Sequence, residues 1–400
     1  SAVHGGGRAR PDVSMSEPAP RRDLDFRLAN ALKGEFVALR LSGPTAGVAF
    51  RATLASVLSM IVAMALHLDK PYWAAITAVS IVLPDVSTSF VRSVDRCLGT
   101  VAGAAVGFFG ARFVAEPLIF QLICASAVAF GIYGAERSVH GYAVLLGAVT
   151  VVLVMFGALE APNEGFRLAV YRSMEIMVGV GVSYIVQVAL APAARPAPVG
   201  AKPGIFGDLV DEDLLAIAVT GGLAVACIPL IWEALDLPGL GQTPITAFVI
   251  LLAMRREPAW VALNRVAGCV LGGAYGLLCM HFVGDAFVVW IPLLFGGLYV
   301  CCYVKERDGE ASYTGHQAAV AVIMSMVQGL APSSDILPAI ERLVGTIGGI
   351  VVVIIAQAVA APLVARAISA ILGSGRDAMR DSRRSGEGER RGVPRGGDFA

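Results

Sequence analysis

The chain has 400 residues, of which 56% are hydrophobic and 16% are charged, and its formal net charge is +0. Because a soluble domain carries about 25% charged residues, this composition excludes an ordinary soluble globular protein and favours a membrane protein. The balanced charge also argues against a protein that binds nucleic acid, since no overall positive field would attract a polyanion.

The beginning of the chain is polar. Residues 1–45 precede the first long apolar segment, and their first part is rich in Arg, Gly and Pro. This composition is typical of disorder, so we predict a disordered cytoplasmic tail. The first apolar run begins near Ala46, behind a long polar leader, so we expect no cleavable signal peptide. We assign no function to the residues before Met15.

Twelve apolar segments follow, and each is a candidate spanning helix because about 20 apolar residues cross a bilayer. They form two six-helix halves, residues 46–191 and 211–366, joined by a short cytoplasmic linker over 192–210 and followed by a disordered cytoplasmic tail over 367–400. The predicted spans are 46–67, 71–88, 94–114, 117–134, 140–158, 168–191, 211–232, 242–255, 261–283, 286–304, 315–331 and 338–365.

The second segment of each half is the weakest. Its apolar core is short and is followed by Pro84-Asp85 in one half and by Arg255-Arg256-Glu257-Pro258 in the other. Broken helices of this kind are tolerated where protein or a water-filled cavity satisfies the freed backbone.

The distribution of positive residues predicts the orientation. If the N-terminus is cytoplasmic, strict alternation places most loop Lys and Arg residues inside, including Arg255, Arg256, Lys305 and Arg307, and places the acidic loops outside. Because cytoplasmic loops carry an excess of Lys and Arg, we predict that both termini are cytoplasmic.

Two arginine–glycine runs indicate an internal repeat. They read Arg96-x-x-Gly99-x-x-x-Gly103-x-x-x-Gly107 and Arg265-x-x-Gly268-x-x-x-Gly272-x-x-x-Gly276. The interval from Arg96 to Arg265, which we call the repeat offset, also carries Ile76-Thr77-Ala78 onto Ile245-Thr246-Ala247. A constant register over this distance indicates a duplicated membrane unit, which is the usual build of transporters. Glycine at every fourth position makes a flat helix face, so we predict close helix packing at all six glycines.

A weaker arginine motif recurs in the sixth segment of each half. Arg172 is followed by Gly179, and Arg342 by Gly345 and Gly349. Three helices separate this motif from the first one in each half, so the partner helix runs the opposite way. The pattern is that of nested three-plus-three inverted repeats.

The four motif arginines are candidate substrate-binding residues, because an ionised side chain in a bilayer normally faces a partner or a watery cavity. Arg96 and Arg265 lie near enough to a boundary to extend toward the headgroups, so a structural and a binding role both stay open. Arg172 and Arg342 lie deeper, and their matched placement favours a shared role in binding an anion.

Glu175 is the one carboxylate well inside a predicted span. It is either an intrahelical partner that lowers the cost of burying Arg172, or a proton-coupling carboxylate. His140 and His316 open the fifth segment of their halves and are candidates for a proton relay. Each could equally form a hydrogen bond at the membrane interface.

Nothing in the sequence indicates an enzyme. The seven cysteines lie in or beside apolar segments, with no CxxC pair and no His at ligand spacing, so we predict apolar packing residues and no metal site. We find no Walker A run, no G-x-S-x-G and no HExxH, so we expect neither catalytic residues nor a cofactor.

One stretch resembles a known family. The run Tyr72-Trp73-Ala74-Ala75-Ile76-Thr77, then Pro84, Arg92 and the glycine run from Arg96, is similar to the signature of the fusaric acid resistance protein-like (FUSC) family, which includes the aromatic acid exporters. The resemblance implies an efflux protein of the bacterial cytoplasmic membrane that exports aromatic carboxylic acids or related organic anions, driven by the proton gradient. We therefore add Tyr72 and Trp73 to the candidate substrate-binding residues. In some systems such proteins work with a periplasmic adaptor.

The chain also departs from that family. The larger exporters carry a soluble domain between their membrane halves, where this chain has only the short linker. The family in turn resembles the aluminium-activated malate channels, so an anion channel is the main alternative, and a membrane scaffold without transport is a third possibility. Besides the lipid, a small organic anion is the partner we expect.

Overall fold

A computed structural model describes residues 21–191, 210–283, 286–307, 309–329 and 335–371, and within these ranges the chain is all-α without a strand. Its helices are α1 (Arg21–Val37), α2 (Pro44–Ala65), α3 (Tyr72–Ile81), α4 (Val86–Gly110), α5 (Pro117–Arg137), α6 (Gly141–Glu160), α7 (Gly165–Leu190), α8 (Glu212–Leu235), α9 (Thr243–Ala253), α10 (Pro258–Val283), α11 (Phe287–Glu306), α12 (Ser312–Met326), α13 (Leu337–Val359) and α14 (Ala361–Ile371). The predicted fold class, an all-α polytopic membrane protein, is confirmed.

Helices α2 to α13 correspond one to one to the twelve predicted spans. Eight of them are long and apolar enough to cross a membrane, namely α2, α5, α6, α7, α8, α10, α11 and α13. The remaining four differ for two reasons. Helices α3, α9 and α12 have only 10, 11 and 15 residues, whereas α4 has 25 residues but carries Asp95 and Arg96.

Proline explains where the short helices begin and end. Helix α3 stops at Ile81 because Pro84 follows closely and disfavours helical backbone before it. Asp85 then caps α4 by accepting a hydrogen bond from the Thr88 N–H at 2.7 Å. Helix α9 carries Pro244 in its first turn, where the missing N–H is no loss.

The prediction of a disordered tail over residues 1–45 is wrong for residues 21–37, which form α1. Arg27 forms an ion pair with Glu310 at 2.6 Å, and Glu35 forms one with Arg307 at 2.6 Å. These partners lie around the loop between α11 and α12, at the far end of the sequence, so local composition could not reveal them. Residues 1–20 lie outside the described residues.

The last predicted span, 338–365, is too long. Helix α13 ends at Val359, a turn at Ala360 follows, and α14 begins at Ala361. Pro362 explains the break, because it has no N–H with which to continue the helical hydrogen bonds. Helix α14 also extends past the predicted start of the C-terminal tail at 367. The rest of that tail and linker residues 192–209 lie outside the described residues.

The helix pairs repeat across the two halves. Helix α4 packs on α6 as α10 packs on α12, and α3 packs on α7 as α9 packs on α13. Two pairs join the halves in matched fashion, since α5 packs on α8 and α11 packs on α2. The two halves are therefore interlocked about a pseudo-two-fold axis.

Gly103 and Gly272 lie at two of the close helix contacts. A Cβ added to Gly103 would overlap the carbonyl oxygen of Gly147 on α6, and one added to Gly272 would overlap that of Ala318 on α12. The repeat offset relates the two glycines to each other, so each half makes the same contact. Two backbones approach this closely only where a side chain is absent.

The buried apolar residues form two main hydrophobic cores. The first core lies mainly among α2, α3, α11 and α12, and Met60 and Trp290 are among its largest side chains. The second core lies mainly among α5, α6, α8 and α9, and it contains Phe156 and Phe248. Each core is thus built from helices of both halves.

Candidate functional site

A cavity of about 110 Å³ lies where the first turn of α3 meets α6, α7 and the start of α9. For scale, an apolar protein cavity of about 150 Å³ admits benzene, so this one is close to the size of a single aromatic ring. Its apolar wall comes largely from α6. The other lining residues bring charge, rings and an amide to the same space, and they are Asp69, Lys70, Tyr72, Trp73, Glu160, Tyr171, Arg172, Glu175 and Gln242.

Arg172 is the positive centre of the cavity. Its guanidinium lies 3.5 Å above the centre of the Trp73 ring. The Nε and Nη1 atoms are buried and have no hydrogen-bond partner in the described part of the chain. Buried donors without an acceptor are unfavourable, whereas a tryptophan face stabilises a cation. The arrangement holds a cation in place and leaves two of its donors without an acceptor among the described residues.

Glu175 lies one turn after Arg172 and is only 2% exposed. It accepts a hydrogen bond from the backbone N–H of Lys70 at 2.8 Å. Among the described residues, no direct ion pair joins it to Arg172. The two side chains line the same cavity, so an ionised Glu175 would lower the cost of burying the Arg172 cation without contacting it.

Arg96 and Arg265 have matched structural contacts. Arg96 donates from Nε to the Thr77 hydroxyl at 3.1 Å and from Nη1 to the Tyr142 hydroxyl at 2.7 Å. Arg265 donates to Thr246 and Tyr313, both at 3.0 Å. Both arginines are buried, and neither lines the Arg172 cavity. They join the short helix of each half to its neighbours.

These contacts extend along the short helices toward the cavity. The Thr77 hydroxyl, which accepts from Arg96, donates to the Trp73 carbonyl at 2.8 Å. In the second half the Thr246 hydroxyl donates to the Gln242 carbonyl at 3.5 Å. The repeat offset, which relates Thr77 to Thr246, therefore places Gln242 at the position of Trp73.

Arg342 is buried among protein partners. It donates from Nη1 to the Gln242 Oε1 at 3.4 Å and to the Met324 Sδ at 3.4 Å, and from Nη2 to the Gln317 Oε1 at 3.0 Å. It does not line the Arg172 cavity. At the position of Glu175 the second half has Gly345, where an added Cβ would lie 2.6 Å from the Gln242 Cβ. The two halves thus surround equivalent arginines differently.

The two histidines are not at equivalent positions, contrary to the sequence prediction. Tyr142 and Tyr313 contact the matched arginines and are therefore equivalent. Counting two positions back from each tyrosine pairs His140 with Ala311 rather than with His316. His140 lies 2.8 Å from Asp95 with a side chain 68% exposed, whereas His316 has a buried Nδ1 with no partner among the described residues. Neither lines the Arg172 cavity.

Lys70, Gln242 and the two hydroxyl partners, Tyr142 and Tyr313, were missed by sequence reasoning. Gln242 could have been found, because the repeat offset that relates Thr77 to Thr246 also relates Trp73 to Gln242. Lys70 could not, since it contributes its backbone N–H, a group that every residue except proline possesses.

A duplicated bundle of apolar helices, with a buried, ring-stacked arginine that has no ion-pair partner among the described residues, is typical of membrane transport proteins. Comparison with known proteins agrees. The model of the fusaric acid resistance protein family matches residues 45–202, and that of the fusaric acid resistance protein-like family matches residues 219–356. The chain belongs to the fusaric acid resistance protein family.

Several relatives carry transport names. The chain is 28% identical over 137 residues, 33% of its length, to "Uncharacterized transporter YdhK" of Escherichia coli (strain K12), covering 20% of that protein. It is 28% identical over 156 residues, 36% of its length, to the "p-hydroxybenzoic acid efflux pump subunit AaeB" of Edwardsiella ictaluri, covering 24% of it. It is 23% identical over 260 residues, 60% of its length, to the AaeB protein of Musicola paradisiaca, covering 39% of it. The chain therefore spans well under half the length of these relatives. No solved structure matches it significantly.

Proposed function

We propose that the protein exports aromatic carboxylic acids and that the Arg172 cavity is the substrate site. The observation that carries the proposal is a buried guanidinium with free donors, seated on Trp73 in a cavity of about 110 Å³. A carboxylate supplies the acceptors that these donors lack, in a geometry that suits arginine. The names of the AaeB relatives, which mention p-hydroxybenzoic acid efflux, support this substrate class.

The rest of the cavity suits an aromatic ring. Tyr72 and Trp73 stand side by side with ring centres 5.3 Å apart, and α6 contributes Leu153, Val154 and Phe156. Burial of an apolar ring against such a wall is favourable, and offset ring contacts add about 0.5–1.5 kcal/mol each. Charge at one end and apolar surface elsewhere match the two parts of an aromatic acid.

Glu175 is the proposed proton site. It is buried in the same cavity, and it has one backbone hydrogen bond but no ion-pair partner in the described part of the chain. When the cavity is empty, an ionised Glu175 balances the charge of Arg172. When a substrate anion occupies Arg172, two negative charges would face one positive charge. The neutral form of Glu175 is then favoured, so the proton and the anion promote each other's binding.

The sign of this coupling between proton binding and anion binding distinguishes two modes of export. Joint binding moves the acid and a proton as a neutral pair, and it predicts that substrate binding takes up a proton. The family resemblance implies proton-driven exchange, in which the proton and the substrate anion occupy the site in turn. That mode predicts that substrate binding releases a proton. We propose joint binding, because the charges in the cavity favour it.

The proposal is tested with the full chain in detergent and in vesicles. We expect benzoate to bind the wild type and Arg172→Gln to weaken binding by about 10-fold or more, since a hydrogen bond to a charged group contributes about 1.5–3 kcal/mol. The matched control is Arg112→Gln, whose guanidinium lies 5.7 Å from the Phe108 ring centre but outside the cavity. Equal affinity in wild type and Arg172→Gln would contradict the proposal.

Flux measurements separate the exporter from the anion channel. Saturable counterflow of labelled benzoate, lost in Arg172→Gln, is expected of the exporter. Current that persists without exchange or a proton gradient would favour the channel, and the absence of any flux would favour a scaffold.

We further propose residence in the bacterial cytoplasmic membrane with both termini in the cytoplasm. Single cysteines at the α6–α7 loop and at the α5–α6 loop should then react with an impermeant thiol reagent from outside and from inside, respectively. A periplasmic adaptor is also proposed as a partner, supported by the word "subunit" in the AaeB name. Copurification with a co-encoded periplasmic protein tests it.

A further inference from the structure

We propose that Gln242 determines substrate specificity by donating its amide N–H to a second oxygen on the aromatic acid, and that Arg342 is the positioning residue that orients this amide. The inference rests on the proposed function and deepens it, because it names the residue that would recognise a ring hydroxyl such as that of the p-hydroxybenzoic acid in the AaeB names.

Gln242 reaches the Arg172 cavity from the other half of the molecule. It precedes α9, and with Gly241 it closes the side of the cavity that the first half leaves open. Its stem packs against α13 at Gly345, where an added Cβ would lie only 2.6 Å from the Gln242 Cβ. A side chain at 345, such as the carboxylate at the equivalent position 175, would displace Gln242 from this place.

Arg342 determines which end of the amide faces it. A guanidinium can only donate hydrogen bonds, so the group that it contacts at 3.4 Å is the carbonyl oxygen Oε1 of Gln242. The amide NH₂ is therefore the end that remains for the cavity, and it has no hydrogen-bond partner in the described ranges. Arg342 is itself held by the Gln317 Oε1 at 3.0 Å. The amide thus has one fixed orientation and a free donor.

The free donor would meet the ring end of the ligand rather than the carboxylate. Arg172 offers the carboxylate more than one N–H in a planar fork, whereas Gln242 reaches the cavity from the other half of the molecule. A hydroxyl on the ring is the acceptor that an apolar ring otherwise lacks. A benzoate without it would leave the amide unpaired, and a site that must leave a polar group unpaired discriminates against that ligand.

The test compares benzoate with 3- and 4-hydroxybenzoate by calorimetry on the full chain in detergent. In the wild type we expect the better hydroxybenzoate to bind more tightly than benzoate. Gln242→Leu should reduce this preference by about 5-fold, the value of one neutral hydrogen bond. Gln187→Leu is the matched control, because Gln187 also accepts from an arginine, Arg51, at 3.1 Å but does not line the cavity. It should keep the preference.

Arg342 is tested with two variants. Arg342→Lys retains a donor toward Oε1 and should keep most of the preference. Arg342→Met removes it and allows the amide to rotate, so the preference should fall as in Gln242→Leu. If Arg342→Met does not fold, the Lys variant and the two glutamine variants still decide the matter.

Each outcome supports or overturns the inference. If the wild type binds benzoate and Gln242→Leu leaves the preference unchanged, the inference is wrong while the proposed function stands. If Gln187→Leu removes the preference equally, the effect does not arise from contact with Gln242, and the inference is again overturned. If the wild type binds none of the three acids, the proposed function fails and the inference fails with it.

Discussion

The two halves of the molecule surround equivalent arginines, Arg172 and Arg342, in different ways. In the first half Arg172 lies on Trp73 beside a cavity, and its Nε and Nη1 have no hydrogen-bond partner among the described residues. In the second half Arg342 is buried and donates to Gln242 and Gln317, and its Nε is its one buried donor without a partner among the described residues. Equivalent helix pairs surround Arg172 and Arg342. The side chains near each arginine therefore decide which of its donors bind protein.

The comparison separates scaffold from site. The Arg96–Thr77–Tyr142 contacts recur as Arg265–Thr246–Tyr313, with distances that agree within a few tenths of an ångström. The differences lie at Trp73, which becomes Gln242, and at Glu175, which becomes Gly345. Duplication preserved the contacts that join the helices, whereas the residues facing the cavity diverged.

The largest expected effect tests the symmetry of the scaffold. Gly103→Leu and Gly272→Leu each place a side chain against a carbonyl oxygen of the facing helix, so both should reduce folded protein strongly and to a similar extent. The measurement is the monodisperse yield from detergent chromatography. Gly273→Leu is the control, because nothing lies within 4 Å of its Cβ position. Normal yield from Gly272→Leu would show that α10 and α12 do not approach this closely.

The next test concerns the asymmetry of the two sites. Arg172→Gln should lose benzoate binding, because the proposed ligand loses its charged donors. Arg342→Gln should lower stability by about 1–3 kcal/mol, because it takes a donor from the buried Gln317 amide oxygen and from the half-buried Gln242 amide. Thermal unfolding and calorimetry on the same samples check both results. Arg172→Lys should restore binding only in part, since the planar fork is lost. Matching profiles for the two Gln variants would remove the proposed asymmetry.

A third test addresses the carboxylate that only one half possesses. If Glu175 takes up a proton when the anion binds, wild-type affinity for benzoate should rise as the pH falls, by about 10-fold per unit of linked pKa change. Glu175→Gln should bind about as tightly as the wild type at low pH and should show no pH dependence, because its side chain stays neutral. Affinity measured across the pH range, with proton uptake in weak buffer, checks this. Glu160→Gln is the control, since Glu160 lines the same cavity but is exposed. Proton release on binding would instead support proton-driven exchange.

The smallest effect is local. Asp211 caps α8 by accepting from the Leu214 N–H at 3.0 Å, and it pairs with Arg255 at 2.8 Å. The Leu214 N–H, together with Arg255, holds the pKa of Asp211 below its usual range. The resulting stability is therefore complete above the ordinary pKa of about 3.9 and is lost as the pH falls below it. Asp211→Ala should lower stability by about 1 kcal/mol, whereas Asp211→Asn retains the cap. Asp213→Ala, at an exposed site in the same turn, should have little effect.

Periodicity and spacing were sufficient to predict the helices but not the sites. Each of α2 to α13 was predicted because a long apolar run directly indicates a helix that is removed from water. The repeat offset predicted that Arg96 and Arg265 are equivalent. The same spacing predicted a shared role for Arg172 and Arg342, because spacing along the sequence does not show which side chains contact each arginine. Those side chains, Trp73 beside Arg172 and Gln242 beside Arg342, come from other parts of the chain. Helix α1 was missed for the same reason, since Glu310, the partner of Arg27, lies 283 residues away.

The shared cores have a consequence for how the cavity can open. A transporter built as two separable halves would rock one half against the other. Here each hydrophobic core contains helices of both halves, so such rocking would break packing contacts in both cores. The cavity wall, however, takes Tyr72 and Trp73 from a helix of the first core and Phe156 and Gln242 from helices of the second. The boundary between the two cores therefore passes through the cavity, so a small displacement of one core relative to the other would change the cavity while each core stays packed.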